Sequence, residues 1–306
     1  MIFDVLIPQL IPLYILIAMG FIGGRFMDVN LASMATISIY FISPVVVFGA
    51  VAQLDLHPEY LLLPVGLAVL AGIVTFASYH IASLMFRDKL ANLAAMGSPQ
   101  GNSGYFGLPV ILALYGGGAS GIYLMSNIGA EIIAITVGYY FGARGNFNVR
   151  DSVMKVIKLP VIHGLWLGLV WNVAGFELSR NALDYWTYFT GAWVVIGMML
   201  IGVALGQLPR FRINLKLLTF LSVIKFGLWP LMISGAIALD QLFFQAFTPE
   251  IYGMMMVWSL CPLMGNLVAY AAQLDVNPDE AAMCVLITTV IALFYMPLIL
   301  SLSGFL

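Results

Sequence analysis

The stretch SPQGNSGYFGLP, Ser98–Pro109, lies between LANLAAMG and VILALYGGG, two segments with almost nothing polar in them. Pro99 lacks a backbone donor and clashes with the preceding turn. Gly101 and Gly104 weaken helix continuation. The reading is a helix that stops near mid-membrane at Pro99 and Gly101 and resumes a few residues later. Freed backbone groups are tolerated at that depth only where protein or a polar cavity surrounds them. Gln100, Asn102 and Ser103 supply side-chain partners for some of them.

The rest of the chain supports a membrane setting. Of 306 residues, 62% are hydrophobic and only 8% charged, and the mean hydropathy is +1.02. A soluble domain of this size needs more polar surface than that. Apolar runs of about 20 residues, each long enough to span a bilayer, recur from end to end. Ten spans are predicted, at 4–26, 31–53, 60–86, 90–115, 119–142, 157–175, 183–207, 214–239, 249–273 and 279–303. The N-terminal MIFDVLIPQL lacks a basic leader and a small-residue cleavage site, so it reads as a retained first helix. Cys261 and Cys284 both fall in apolar segments and read as small core residues, neither a disulfide nor a metal pair.

Lys and Arg set the orientation. Arg25, Arg87, Lys89, Arg144, Arg150, Lys155, Lys158, Arg210, Arg212 and Lys216 fall in one set of loops, and Arg180 alone in the other. By the positive-inside rule both termini face outside. The basic connection ARGNFNVRDSVMKVIK separates two groups of five spans. The expected organisation is a first five-helix repeat (1–142), a cytoplasmic linker (143–158) and a second five-helix repeat (159–306). Because each half has an odd number of spans, the halves are inverted. Span nine carries PLMGNLVAY, Pro262–Tyr270, in the place of span four's PQGNSGY, Pro99–Tyr105. Each has a proline, a Gly-Asn pair and a tyrosine, and each is fourth in its half. The fold class is therefore all-α membrane protein: ten helices in two inverted repeats, with crossed broken helices in spans four and nine.

Crossed broken helices bring two half-helix N-termini together near the midplane. Their exposed N–H groups and partial positive charge suit an anion, and paired interrupted helices are the sequence pointer to a transporter site. The substrate-binding candidates are Asn102, Ser103, Gly104, Tyr105, Gly265 and Asn266, with Pro99, Gly101 and Pro262 as the helix breaks. Two ionisable residues lie inside spans. Glu131 and Lys225 are each about 17 Å along their helices, near mid-membrane, where a charge is a functional candidate by default. Glu131, with Asn127 one turn before it, reads as a proton carrier or as the structural partner of Lys225. Lys225 is a further candidate for the substrate carboxylate.

Other features read structurally. His80 and His163 are interior or interfacial residues. Asp55, His57 and Glu59 form a solvated turn, not a metal site. Ser43-Pro44 kinks span two, and a lining role there stays open. The pairs Gly20/Gly24, Gly138/Gly142, Gly164/Gly168 and Gly202/Gly206 mark close helix packing.

Four stretches together resemble the auxin efflux carrier family: GNSGYFGLPVILALYG (Gly101–Gly116), GFIGGR (Gly20–Arg25), GVALGQ (Gly202–Gln207) and IKFGLWPL (Ile224–Leu231). They run in order over nearly the whole chain. The resemblance implies the inverted five-plus-five fold shared with bile-acid/sodium symporters and plant PIN-type carriers. It also implies carboxylate substrates such as malonate, malate or auxin-like acids. Without the long central loop of the long plant carriers, the chain is similar to bacterial members, which implies a bacterial inner membrane.

The function read from these features is secondary transport of a small organic anion by alternating access, with proton coupling through Glu131. The alternatives are a sodium-coupled symporter and an uncoupled, channel-like facilitator. GxxxxGK[ST] is absent, which argues against ATP drive. No HExxH, GxSxG or paired-Asp arrangement occurs, so an enzyme is not expected. No cofactor, metal or nucleic acid is implied. The expected partners are the substrate, the bilayer and a proton or sodium ion, with a homodimer left open.

Overall fold

The computed structural model describes residues 2–54, 61–116, 119–208 and 213–303. The Asp55–Glu59 turn, Arg210 and Arg212 lie outside the described residues. Among those described, the fold is all-helical, with one isolated backbone bridge. In chain order the helices are α1 (Ile2–Phe26), α2 (Leu31–Ala52), α3 (Leu62–Met85), α4 (Leu90–Gly97) and α5 (Ser103–Tyr115). Then follow α6 (Gly121–Arg144), α7 (Val149–Ile157), α8 (Pro160–Val173) and α9 (Arg180–Gly206). The last four are α10 (Leu215–Phe244), α11 (Pro249–Ser259), α12 (Asn266–Leu274) and α13 (Pro278–Ser303). Six of these helices (α2, α3, α6, α9, α10 and α13) are by themselves long and apolar enough to cross a membrane, and α7 with α8 passes as one span bent by 49°.

Local chemistry sets the ends. Ser179 Oγ and Asn214 Oδ1 accept from the N–H groups of Ala182 and Leu217, capping α9 and α10. Thr248 caps α11 ahead of Pro249, which supplies the fixed φ of a first helical turn. Asp275, at φ +54°, ends α12 in the left-handed conformation. Two expected boundaries shift. The linker is not all loop, because Asn148 Oδ1 accepts from Asp151 N at 2.9 Å and starts α7. Span eight runs past 239 to Phe244 through a π-helical turn that begins at Asp240.

Glycine contacts join two helix pairs backbone to backbone. Gly20 and Gly24 of α1 lie on Met199 and Val203 of α9, and Gly202 and Gly206 of α9 lie on Ile17 to Arg25 of α1. Gly164 and Gly168 of α8 lie on Pro44 and Phe48 of α2; a Cβ at 168 would sit 2.7 Å from the Phe48 carbonyl oxygen. Gly138 and Gly142 of α6 face Pro99 and Met96 at the end of α4. These are the four small-residue pairs picked out in the sequence. Both cysteines are free and buried. His80 and His163 lie on exposed helix faces, which removes the interior alternative and leaves the interfacial one.

Candidate functional site

α4 stops at Gly97 and α5 starts at Ser103, as Pro99 predicts. α11 stops at Ser259 and α12 starts at Asn266, after Pro262. The two interruptions lie against each other. Gly101 and Leu263 form the antiparallel bridge, and Asn102 N donates to Pro262 O at 2.7 Å. Only glycine fits at 101. An added Cβ would lie 2.7 Å from Cys261 Cβ and 2.9 Å from the carbonyl oxygens of Cys261 and Pro262. The freed backbone groups find partners as a buried break requires. Leu263 N donates to Thr288 Oγ1 at 3.3 Å, and Ser98 O accepts from Lys225 Nζ at 3.2 Å and from Trp229 Nε1 at 2.9 Å.

The mid-membrane charges approach this crossing separately. Lys225, 1% exposed, holds the carbonyl of Ser98. Glu131 accepts a hydrogen bond from Gln100 Nε2. Among the described residues, no ion pair joins Glu131 to Lys225. The structural pairing weighed from the sequence is corrected accordingly: both grip the 98–100 turn but do not touch each other. The sequence puts two opposite charges at one depth, but only the fold shows that one bonds a backbone carbonyl and the other a side-chain amide.

A second layer of bonds fixes the side chains. Ser103 Oγ and Trp258 Nε1 both donate to Asn127 Oδ1, at 2.7 and 2.9 Å. That saturates the oxygen and leaves the Asn127 amide donors free. Asn102 Oδ1 caps Tyr105 N at 3.3 Å, and Tyr105 OH donates to Asn266 Oδ1 at 3.1 Å. Tyr123 OH donates to Ser103 O at 3.2 Å. Gly265 lies against the Tyr105 ring, which meets Trp193 edge-on at 4.4 Å. Of the buried polar atoms without a partner among the described residues, three belong to this region: Asn102 Nδ2, Gln100 Oε1 and Trp193 Nε1. Native structures contain few such atoms, and each asks for an occupant.

Beside the crossing is a cavity of about 150 Å³. α2 and α9 form one wall, with Val46, Val47, Trp186 and Trp193. α5 and α6 form the other, with Gly104, Leu108, Asn127 and Glu131. Of the residues picked from the sequence, Gly104, Asn127 and Glu131 line this space. Asn102, Ser103, Tyr105, Gly265 and Asn266 belong to the crossing and not to the cavity lining, and Lys225 bonds the carbonyl of Ser98. The sequence reading missed Trp193, Trp258 and Trp229. Their one signal was indole N–H groups set in mid-span, where a donor needs a partner.

A chain of side-chain hydrogen bonds ties the helices around the crossing at a second level. Eight residues beyond Glu131, about 12 Å along α6, Tyr139 OH donates to Gln273 Oε1 at 3.0 Å. Gln273 Nε2 in turn donates to Tyr40 OH of α2. This links α6 and α12 to α2 toward the basic end of the molecule.

No protein-family profile matches the chain. A protein from Methanocaldococcus jannaschii described as an uncharacterized transporter is 27% identical over 155 residues, covering 48% of this chain and 50% of that protein. The helices and their composition make this chain an integral membrane protein of the all-helical class.

Proposed function

We propose that the chain is a secondary carrier for a small organic anion, working by alternating access, with ten spans in two inverted repeats. The pairing of α1 with α9 and of α8 with α2 supports the repeat. In each pair, the first helix of one half lies against the second helix of the other, as a two-fold in the membrane plane demands. The broken helices α4/α5 and α11/α12 occupy matching fourth places. The similarity to a protein described as a transporter agrees with this reading, and the auxin efflux carrier resemblance narrows it to carboxylates.

Two helix breaks bonded back to back, beside a cavity that Glu131 and Asn127 line, carry the reading. The N-terminus of α5 at Gly104, the unpaired Trp193 Nε1 and the free donors of Asn127 line this cavity and form a donor set for a carboxylate. Glu131 lines the same small space. Two ionised carboxylates about 5 Å apart repel by about 3 kcal/mol at an effective dielectric of about 20. The anion is therefore admitted with a proton on Glu131, and that proton moves with it. Opening of the Tyr40–Gln273–Tyr139 tie, with closure around Trp193, exposes the site to the other face. Sodium coupling is the second reading, favoured by the unpaired Gln100 Oε1 next to the Glu131 carboxylate.

The test is uptake into proteoliposomes of radiolabelled malonate, malate and indole-3-acetate, with pH and sodium gradients imposed separately. Accumulation of one of them driven by pH alone is the expected result. Accumulation driven only by sodium selects the second reading, and no saturable flux of any carboxylate contradicts both.

A further inference from the structure

α3 and α10 do not close on each other. Between them, toward the basic end, is an apolar groove of about 690 Å³. Ala77, Ile81 and Met85 line it from α3, and Phe220, Val223 and Leu228 from α10. Ile81, Met85 and Val223 are exposed. A second cavity of about 220 Å³ continues along the same two helices, with Leu67 and Leu70 facing Ile233 and Ile237. From Lys216 to Leu228 the groove runs along about 18 Å of helix, close to the depth of one leaflet's hydrocarbon.

The groove has one charged end. Lys216 Nζ donates to Met85 O at 2.6 Å and lies 5.3 Å from the centre of the Phe86 ring. Among the described residues no carboxylate pairs with it. One of its three donors is used on the carbonyl, so two remain for another acceptor. An unpaired ammonium at the mouth of a chain-length apolar slot matches an acyl chain carrying a negative headgroup.

We propose that the α3–α10 groove is a binding site for an anionic phospholipid, with one acyl chain along Ala77, Ile81, Val223 and Leu228 and the headgroup phosphate on Lys216. The floor of the groove includes Ile224 and Leu228, the same π-helical turn that carries Lys225 to Ser98 O. A lipid seated there packs against the element that holds the crossing. This site is independent of the cavity at Glu131 and of what that cavity binds.

Native mass spectrometry of the detergent-purified protein, titrated with phosphatidylglycerol or phosphatidylcholine, tests the site. Tighter binding of phosphatidylglycerol is expected in the unaltered protein. Lys216→Gln should weaken that binding about fivefold, the size of one lysine's attraction for an anionic lipid surface. It should leave phosphatidylcholine unchanged, and Lys216→Arg should restore the preference. Ala77→Trp, at an exposed position inside the groove, should weaken both lipids. Equal binding of the two lipids by the unaltered protein, or phosphatidylglycerol binding unmoved by Lys216→Gln or by Ala77→Trp, overturns the proposal.

Discussion

Glu131 and Lys225 show how two buried charges share one turn without sharing a bond. Lys225 holds the Ser98 carbonyl and Glu131 holds the Gln100 amide, from separate helices. If Glu131 carries the coupled proton, Glu131→Gln abolishes pH-driven accumulation but leaves exchange of labelled for unlabelled substrate, since the amide keeps the shape and loses the titration. Because Lys225 is not its ion partner, Glu131→Gln strands no buried ammonium. Its melting temperature in detergent should stay within a few degrees of the unaltered protein, and adding Lys225→Met should lower it further. A stability gain in the double variant would instead reveal a direct pair, because replacing both partners of a buried pair can be neutral where losing one costs about 3–5 kcal/mol. The charges were legible in the sequence, since a glutamate and a lysine in apolar spans stand out. Their partners were not: Ser98 O is a backbone carbonyl and carries no sequence signal, and Gln100 reaches Glu131 only because the chain breaks between them.

At the scale of elements, the crossing depends on the close approach of two backbones. Gly101→Ala puts a methyl 2.7 Å from Cys261 Cβ and should cost about 1–3 kcal/mol, as overpacking in a tight core does. Gly227→Ala is the control, because nothing lies within 4 Å of an added Cβ there. Thermal unfolding in detergent should separate the two clearly, and equal midpoints would mean that the helices do not cross as described. The Tyr40–Gln273–Tyr139 tie makes a second prediction. Gln273→Leu removes the bonds to Tyr40 and Tyr139. It should raise labelling of a cysteine placed at Asn127, by a thiol reagent added on the basic side, several-fold over the same cysteine with Gln273 intact. Unchanged labelling would remove the tie from the gating. Both breaks were legible, because proline with glycine has few other uses inside an apolar run. The π-helical turns at Ser103–Gly107 and Val223–Leu228 were not, since one extra residue per turn leaves no mark on hydrophobic periodicity. Nor was α7, whose residues Val149–Ile157 read as a basic linker until Asn148 was seen to cap them.

At the scale of the molecule, one helix set is locked by glycine contacts and the other is built around the crossing, with the cavity between them. α1 with α9 and α2 with α8 form the locked pairs, and α5 and α6 supply the facing wall. Relative movement of the two sets is the simplest way to move the site from one side to the other. The charge asymmetry predicts that a cysteine at Lys155 is labelled only after the membrane of intact cells is permeabilised, and labelling from outside would invert the orientation. The central claim is that one site is reached from each side in turn, and accessibility tests it most directly. In a chain with Cys261 and Cys284 replaced by alanine, Asn127→Cys is reconstituted and treated with a membrane-impermeant thiol reagent, added outside the vesicles or trapped within them. Alternating access predicts reaction from both sides, slowed on both by a transported carboxylate. Reaction from one side only, at a rate that substrate does not change, would make the cavity a static pocket and contradict the account.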